Sequence, residues 1–228
     1  MLAGGLGTRL RAEVPDVPKP MAPVGGRPFL EILLRKLSAG GIDRVVLSVG
    51  YRAESITDYF GRSFAGLKLE YAIEAKPLGT GGATRLALEF CDEDAVLVTN
   101  GDTFLDLDLA ALQSALSSRD AAVLVAREVP DTSRYGRLIV QDDLIVGFVE
   151  KGVTGRGLVN AGTYYLRRDL LASIPSGTPF SLENEVLVPA VASRAVRAFV
   201  SEGTFIDIGI PEDYRRAQTL LAHFATGS

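Results

Sequence analysis

Histidine and cysteine are almost missing from this chain: His223 and Cys91 are the only ones in 228 residues. A single cysteine excludes an internal disulfide framework. Cys91 falls at the end of an expected helix, where it reads as a small packed side chain rather than a nucleophile. One histidine near the C-terminus argues against His-based acid–base catalysis and against His-rich metal sites. Blocks of like charge are absent too, and the net charge is only −4, which argues against nucleic acid or an anionic membrane as partner. With no signal peptide, transmembrane run or lipidation motif, the expected compartment is the cytoplasm. No repeat, low-complexity tract or interdomain linker interrupts the chain.

What the sequence does have is glycine and fixed cations near its start. Leu2-Ala3-Gly4-Gly5-Leu6-Gly7-Thr8-Arg9-Leu10 is a short apolar stub running into a glycine-rich turn, and Pro18-Lys19-Pro20 follows. Glycines admit close approach of a ligand to the backbone, and successive outward N–H groups make an anion nest. A helix starting after the loop would add a favourable dipole. With Arg9 and Lys19 alongside, the expected ligand is a polyphosphate. A dinucleotide fingerprint does not fit, because Leu10 stands at the third glycine, and a Walker loop lacks its Lys-Ser or Lys-Thr pair.

The rest of the chain alternates short β-branched runs with helical periods, the pattern of an α/β sheet with crossover helices. Helices are expected over 28–38 (ended by Gly40-Gly41), 52–60, from the Gly-rich segment 79–82 to about 90, 108–117 and 180–193, with a last one opened by Pro211. Strands are expected over 43–50, 68–73, 95–100, 121–127, 157–166, 195–200 and 204–206. Residues 136–150 alternate around Asp142-Asp143 and read as a hairpin. Ligand loops 4–8, 74–82 and 101–103 are expected at the carboxyl edge of the parallel strands. The apolar face of the last helix would serve a core or a homo-oligomer interface equally well.

Several segments, in order, resemble the sugar-1-phosphate nucleotidyltransferases. They are the N-terminal loop with Pro18-Lys19-Pro20-Met21, then Glu74-Ala75-Lys76-Pro77-Leu78-Gly79-Thr80-Gly81-Gly82, Asn100-Gly101-Asp102-Thr103, Glu150-Lys151-Gly152, Asn160-Ala161-Gly162 and Asp207-Ile208-Gly209. The resemblance covers nearly the whole chain, although members usually carry more apolar residues before Ala3-Gly4-Gly5, so a clipped first strand is expected. It implies a Rossmann-like α/β fold with a mixed, mostly parallel sheet flanked by helices and a small sugar-binding β subregion. One domain would span residues 1–228, with 1–120 mainly for nucleotide and 121–228 mainly for sugar phosphate. The absence of a β-helix or acyltransferase extension suits a small member.

The implied reaction is nucleotidyl transfer from a nucleoside triphosphate to a sugar 1-phosphate, with pyrophosphate leaving. The phosphate nucleophile is already an anion, so no general base is needed. Arg9 would hold the β- and γ-phosphates, Lys19 the α-phosphate, and Asp102 and Asp207 a magnesium ion, a cation suited to a few hard carboxylate oxygens. Taken singly, Asp102 reads equally as a turn residue and Asp207 as a cap of the helix at Pro211. Leu2, Ala3, Gly4, Gly5, Gly7, Thr8, Pro77, Gly79, Thr80, Gly81 and Gly101 would line the nucleotide. Glu74 would read the base; its carboxylate accepts only, which favours guanine and hence GTP. Gly136, Glu150, Lys151, Asn160, Ala161 and Gly162 would surround the sugar phosphate. Within the family, the segments 17–24, 48–51 and 77–82 resemble the branch acting on D-glycero-D-manno-heptose 1-phosphate with GTP. Transfer to N-acetylmuramate 1-phosphate or a hexose 1-phosphate, and a non-catalytic nucleotide-sugar sensor or scaffold, are the alternatives.

Overall fold

The computed structural model describes residues 1–226 apart from Leu6, Thr8, Arg11, Ala12, Asp16 and Arg194. Two compact units emerge: Met1–Pro77 with Asn100–Phe104 and Ile206–Ser228, and Leu78–Thr99 with Leu105–Phe205.

In the first unit the near-continuous apolar run Arg44–Val49 is a strand buried along almost its whole length, as a strand covered on both faces requires. It pairs in parallel with Leu67–Ile73, which pairs antiparallel with the short strand Ser63–Phe64. The helix Ala53–Phe60 makes the crossover between the parallel strands. Residues 1–3 continue this sheet: Leu2 bridges in parallel to Ser48 and to Asn100. Ala3 N–H donates to Ser48 O at 2.8 Å and Gly101 N–H to Leu2 O at 2.8 Å. The helix Phe29–Ala39 stops where glycine allows it: Gly41 has φ +86°, its N–H reaches Ser38 O, and Ile42 N–H reaches Leu37 O. That is a Schellman ending, with Leu37 and Ile42 both packed on the core. The core gathers Phe29, Leu30, Leu34, Leu47, Ile56 and Phe104, each essentially fully buried. Tyr214, Ala217 and Leu220 of the helix Pro211–Leu220 pack on this core, so that face is internal.

The second unit is built on a six-stranded sheet ordered Ala95–Thr99, Gly157–Arg167, Asp120–Val129, Ala195–Ser201, Leu144–Val149, Arg137–Gln141. Only Ala195–Ser201 against Asp120–Val129 is parallel there among the described residues. The expected mixed α/β class is what forms, with a parallel strand pair in each unit and antiparallel pairing around it. The expected hairpin is Arg137–Gln141 with Leu144–Val149, turned by Asp142 and Asp143 at φ +47° and +62°. Both residues in the left-handed region match the twist of the flanking strands, and aspartate tolerates it. The expected helix over 180–193 divides into a π-helical turn Glu183–Leu187 and the helix Val188–Ser193. Among the described residues the first helical element after the glycine loop is the 3₁₀ turn Lys19–Met21; Arg11 and Ala12, where the expected helix would open, lie outside the described residues. No helix of the described residues is long and apolar enough to cross a membrane.

Two buried carboxylates tie stability to pH. Glu31 accepts from Arg27 Nη1 at 2.7 Å, Arg35 Nε at 3.0 Å and Tyr59 Oη at 2.9 Å. Asp120 accepts from Ser117 N–H at 2.9 Å and Arg197 Nε at 3.2 Å. Burial pushes both carboxyls up, but the hydrogen bonds and guanidinium charges outweigh it and hold them below their usual range. A carboxyl lowered in the fold adds stability above its unfolded value, and that stability is lost as pH falls through the folded value. Urea unfolding should therefore show a flat plateau near neutrality and a steep fall below about pH 4. Glu31→Gln should lower the plateau by about 2 kcal/mol and make the acid fall shallower; an unchanged acid limb would contradict this assignment.

Candidate active site

Lys19 has the most constrained setting of the expected site residues. Pro18 and Pro20 fix φ on either side of it, and the turn closes with Met21 N–H on Pro18 O and Ala22 N–H on Lys19 O. A proline-flanked backbone loses less entropy when its side chain is aimed. The ammonium sits 2.6 Å from Asp102 Oδ2 and 3.3 Å from Asp207 Oδ1. Its side chain is 10% exposed, against 35% and 27% for the two aspartates. The cation is thus enclosed while its carboxylates stay open to a ligand.

Three distant segments make this convergence possible. Asp102 follows Gly101, where a Cβ would lie 2.8 Å from Leu2 O, so only glycine lets the chain pass residues 2–3 so closely. Ile208 N–H donates to Asp102 O at 3.0 Å, bringing Asp207 alongside. Asp207 Oδ1 also accepts from Gly209 N–H at 2.7 Å, and Asp102 Oδ1 accepts from Thr103 Oγ1 at 3.2 Å. Burial and the neighbouring Asp102 charge push the Asp207 carboxyl up, more than Lys19 pulls it down. Paired carboxylates with this repulsion have an affinity for added positive charge. Two hard oxygen donors suit magnesium, which fills its other positions with water and phosphate. Among the described residues no cluster of three or more acidic, histidine or cysteine side chains offers an all-protein cage.

The glycine loop borders the same lysine. Gly7 has φ +57°, and a Cβ there would come within 2.9 Å of Lys19 Cβ. Gly5 and Arg9 are exposed, and Thr8 lies outside the described residues. Glu74 directly follows the strand Leu67–Ile73, and its Oε1 accepts from Ser48 Oγ at 3.0 Å. A Cβ on Gly4 would sit 2.4 Å from that Oε1 and 3.3 Å from Gly50 N. Ser48, fully buried in an apolar strand, is a residue that sequence reasoning missed; its cue was a lone hydroxyl in a run of valine and leucine.

Pro77 closes the first unit's opening segment as an exposed residue. Gly79, Thr80 and Gly81 begin the helix Gly79–Ala87 of the second unit. A Cβ would meet Phe180 O at 2.6 Å from Gly79, the Phe180 ring at 2.1 Å from Gly81, and Thr178 O at 2.4 Å from Gly82. Packing against 178–180 thus demands these glycines, whatever else they contact. Thr80 Oγ1 accepts from Leu182 N–H at 3.0 Å.

Of the expected sugar-phosphate residues, Glu150 and Lys151 are exposed after the strand Leu144–Val149, and Gly136 lies against Val149 O. Asn160, Ala161 and Gly162 lie where the register of Gly157–Arg167 against Asp120–Val129 breaks, with Gly162 at φ +70°. Such a bulge re-aims side chains beside binding sites. Asn160 Oδ1 accepts from Gly162 N–H at 2.9 Å, and its Nδ2 donates to Tyr164 Oη at 2.8 Å and Glu183 Oε2 at 2.6 Å. Burial raises the Tyr164 phenol well above its usual range; the Asn160 hydrogen bond opposes this, and the Glu183 charge adds a lesser upward push. Tyr164 and Glu183 were not among the expected site residues.

A family model described as Nucleotidyl transferase matches residues 1–223. The chain is 39% identical over 225 residues to the D-glycero-alpha-D-manno-heptose 1-phosphate guanylyltransferase of Aneurinibacillus thermoaerophilus, covering 98% of each. It is 42% identical over 215 residues to the protein of that name from Campylobacter jejuni, covering 94% of this chain and 95% of the other. Among solved structures, HddC from Yersinia pseudotuberculosis complexed with GMP-PN superposes with a TM-score of 0.85 at 39% identity, covering 96% of both chains.

Proposed function

The chain belongs to the nucleotidyl transferase family, and we propose that it transfers GMP from GTP to D-glycero-D-manno-heptose 1-phosphate, releasing pyrophosphate. The observation that carries this reading is one ammonium, Lys19, touching two carboxylates from opposite ends of the sequence, Asp102 and Asp207. Full-length similarity to two heptose 1-phosphate guanylyltransferases supports the choice of sugar and base.

In this reading an oxygen of the sugar phosphate attacks the α-phosphorus in line. The bond from that phosphorus to the bridging oxygen breaks, and its electron pair leaves with pyrophosphate. No proton has to be removed from the nucleophile, which suits a chain with a single histidine. Asp102 and Asp207 would hold Mg2+, which when bound supplies neutralisation of phosphate charge. Lys19 meets the charge growing on the α-phosphate, and Arg9 stabilises the departing pyrophosphate. Positioning and electrostatics then supply most of the acceleration. Residues 1–120 would serve mainly the nucleotide and 121–228 mainly the sugar phosphate.

Pyrophosphate release over a panel of four nucleoside triphosphates and heptose, mannose, glucose and muramate 1-phosphates tests the reading. GTP with the heptose phosphate should be the best pair, and EDTA should abolish release. Release best with UTP and the muramate phosphate would move the assignment to that transfer. Binding of nucleotide sugar with no release from any pair would leave a sensor or scaffold.

Base choice has its own check. Glu74, held by Ser48, would accept from the N1–H and N2–H2 donors of guanine. In Gly4→Ala the new methyl displaces that carboxylate, so KM for GTP should rise about tenfold, the scale of one hydrogen bond to a charged group. Discrimination against ATP should fall by a similar factor. A GTP preference unmoved by both Gly4→Ala and Glu74→Gln would take Glu74 out of base recognition.

A further inference from the structure

The hydrogen bonds of Asn160 leave it no donor for a ligand. A primary amide has two N–H donors and one acceptor oxygen, and both donors are used, on Tyr164 Oη and Glu183 Oε2. The 2.6 Å contact with Glu183 is short, as bonds to a carboxylate are. Glu183 uses only Oε2 in this set, and Oε1 takes no part in it. Glu183 is half-buried and opens the π-helical turn Glu183–Leu187, a rare geometry that recurs at functional sites. The partner residue, Asn160, stands at the register break of its strand. A carboxylate has therefore been fixed in direction, through one oxygen, by an amide that is itself held on a buried phenol, with its second oxygen uncommitted to them.

We infer that Glu183 is a specificity-determining residue that accepts a hydrogen bond from a ring hydroxyl of the sugar 1-phosphate, with Asn160 and Tyr164 as the positioning residues that aim it. The inference rests on the sugar-1-phosphate reading above. A sugar offers hydroxyl donors, and a carboxylate offers only acceptors. The phosphate of the same substrate is repelled by it, so the carboxylate serves the ring and not the phosphate. Arrangement by an amide that donates twice also explains why an asparagine, and not an aspartate, stands at 160: a carboxylate there would face Glu183 with like charge.

Glu183→Gln separates this role from a structural one. The glutamine oxygen still accepts from Asn160 Nδ2, so the internal contact survives. Its amide nitrogen replaces Oε1, turning an acceptor into a donor. In steady-state assays with GTP and D-glycero-D-manno-heptose 1-phosphate, KM for the sugar phosphate should rise about ten- to a hundredfold. KM for GTP should stay within about twofold, and the thermal midpoint within about 2 °C of wild type. Among monodeoxy analogues of the sugar phosphate, one should show the same KM with both proteins, identifying the hydroxyl that Glu183 receives. An unchanged KM for the sugar phosphate would overturn the inference. So would equal rises in both KM values with a lowered midpoint, the mark of a packing role. If wild type turns over no sugar 1-phosphate at all, the reading beneath the inference fails first, and visibly so.

Discussion

Lys19→Met is expected to lower kcat by about a hundred- to a thousandfold, the scale of removing one aimed charge from a developing anion, with KM for GTP changed by no more than a few fold. The methionine stem keeps the volume of the lysine and removes only its ammonium. That ammonium lies 2.6 Å from Asp102 and 3.3 Å from Asp207, on a side chain only 10% exposed. Loss of transition-state charge stabilisation appears in kcat, whereas loss of uniform substrate binding appears in KM. The fold should survive: the carboxylates left behind are about a third exposed, so water screens them and the cost is held to about 1 kcal/mol. A second effect runs the other way. With the lysine gone, the paired carboxylates lack their counter-ion, so Mg2+ should bind the free enzyme more tightly even as turnover collapses. Lys19→Arg should not restore activity, since a planar guanidinium cannot occupy the position of a compact ammonium. Calorimetric titration with Mg2+ and pyrophosphate release provide both readouts. Weaker Mg2+ binding by Lys19→Met would show that Lys19 supports the metal rather than competing with it.

Where the sequence revealed the fold, it did so through strong local rules. Arg44–Val49 reads as buried because its apolar run is continuous, and Phe29–Ala39 ends where Gly40-Gly41 permits a left-handed residue. The hairpin at Asp142-Asp143 follows from alternation and turn chemistry. Other features depend on partners far away in sequence. The glycines at 79–82 read as a ligand loop, yet what presses on them is residues 178–180, about a hundred positions on. A five-residue π turn cannot be told from an α-helical one by periodicity, because the two differ by less than one residue per turn over so short a span. The carboxylates at 102 and 207 carry no mutual signal in spacing; family resemblance linked them, and the bond from Ile208 N–H to Asp102 O is the physical link. Glu183 was invisible for the same reason: its value lies in an amide 23 residues earlier.

Asp102→Asn and Asp207→Asn should each lower turnover at least a thousandfold at sub-saturating Mg2+, a loss of several kcal/mol of charge stabilisation. Their magnesium behaviour should mirror that of Lys19→Met: binding to the free enzyme becomes weaker, and the Mg2+ needed for half-maximal rate rises. Stability should move the opposite way from activity. The Asp207 carboxyl is raised by burial and by Asp102, so its ionised form is a cost to the fold. A carboxyl raised in the folded state makes the protein lose stability as pH rises through the window between its unfolded and folded values. Removing either charge lifts that cost, and in EDTA at neutral pH both variants should melt no lower than wild type. Acid behaviour distinguishes the pair. A proton on Asp207 competes with the metal, so the wild-type acid limb at low Mg2+ should lie above the ordinary aspartate range of about 4 and move down as Mg2+ is raised. In Asp102→Asn the charge that pushes Asp207 up is gone, and the residual activity should show its acid limb displaced to lower pH. A limb that stays fixed in Asp102→Asn would mean that the two carboxylates do not share a cation in the working enzyme, however near they stand to the same lysine.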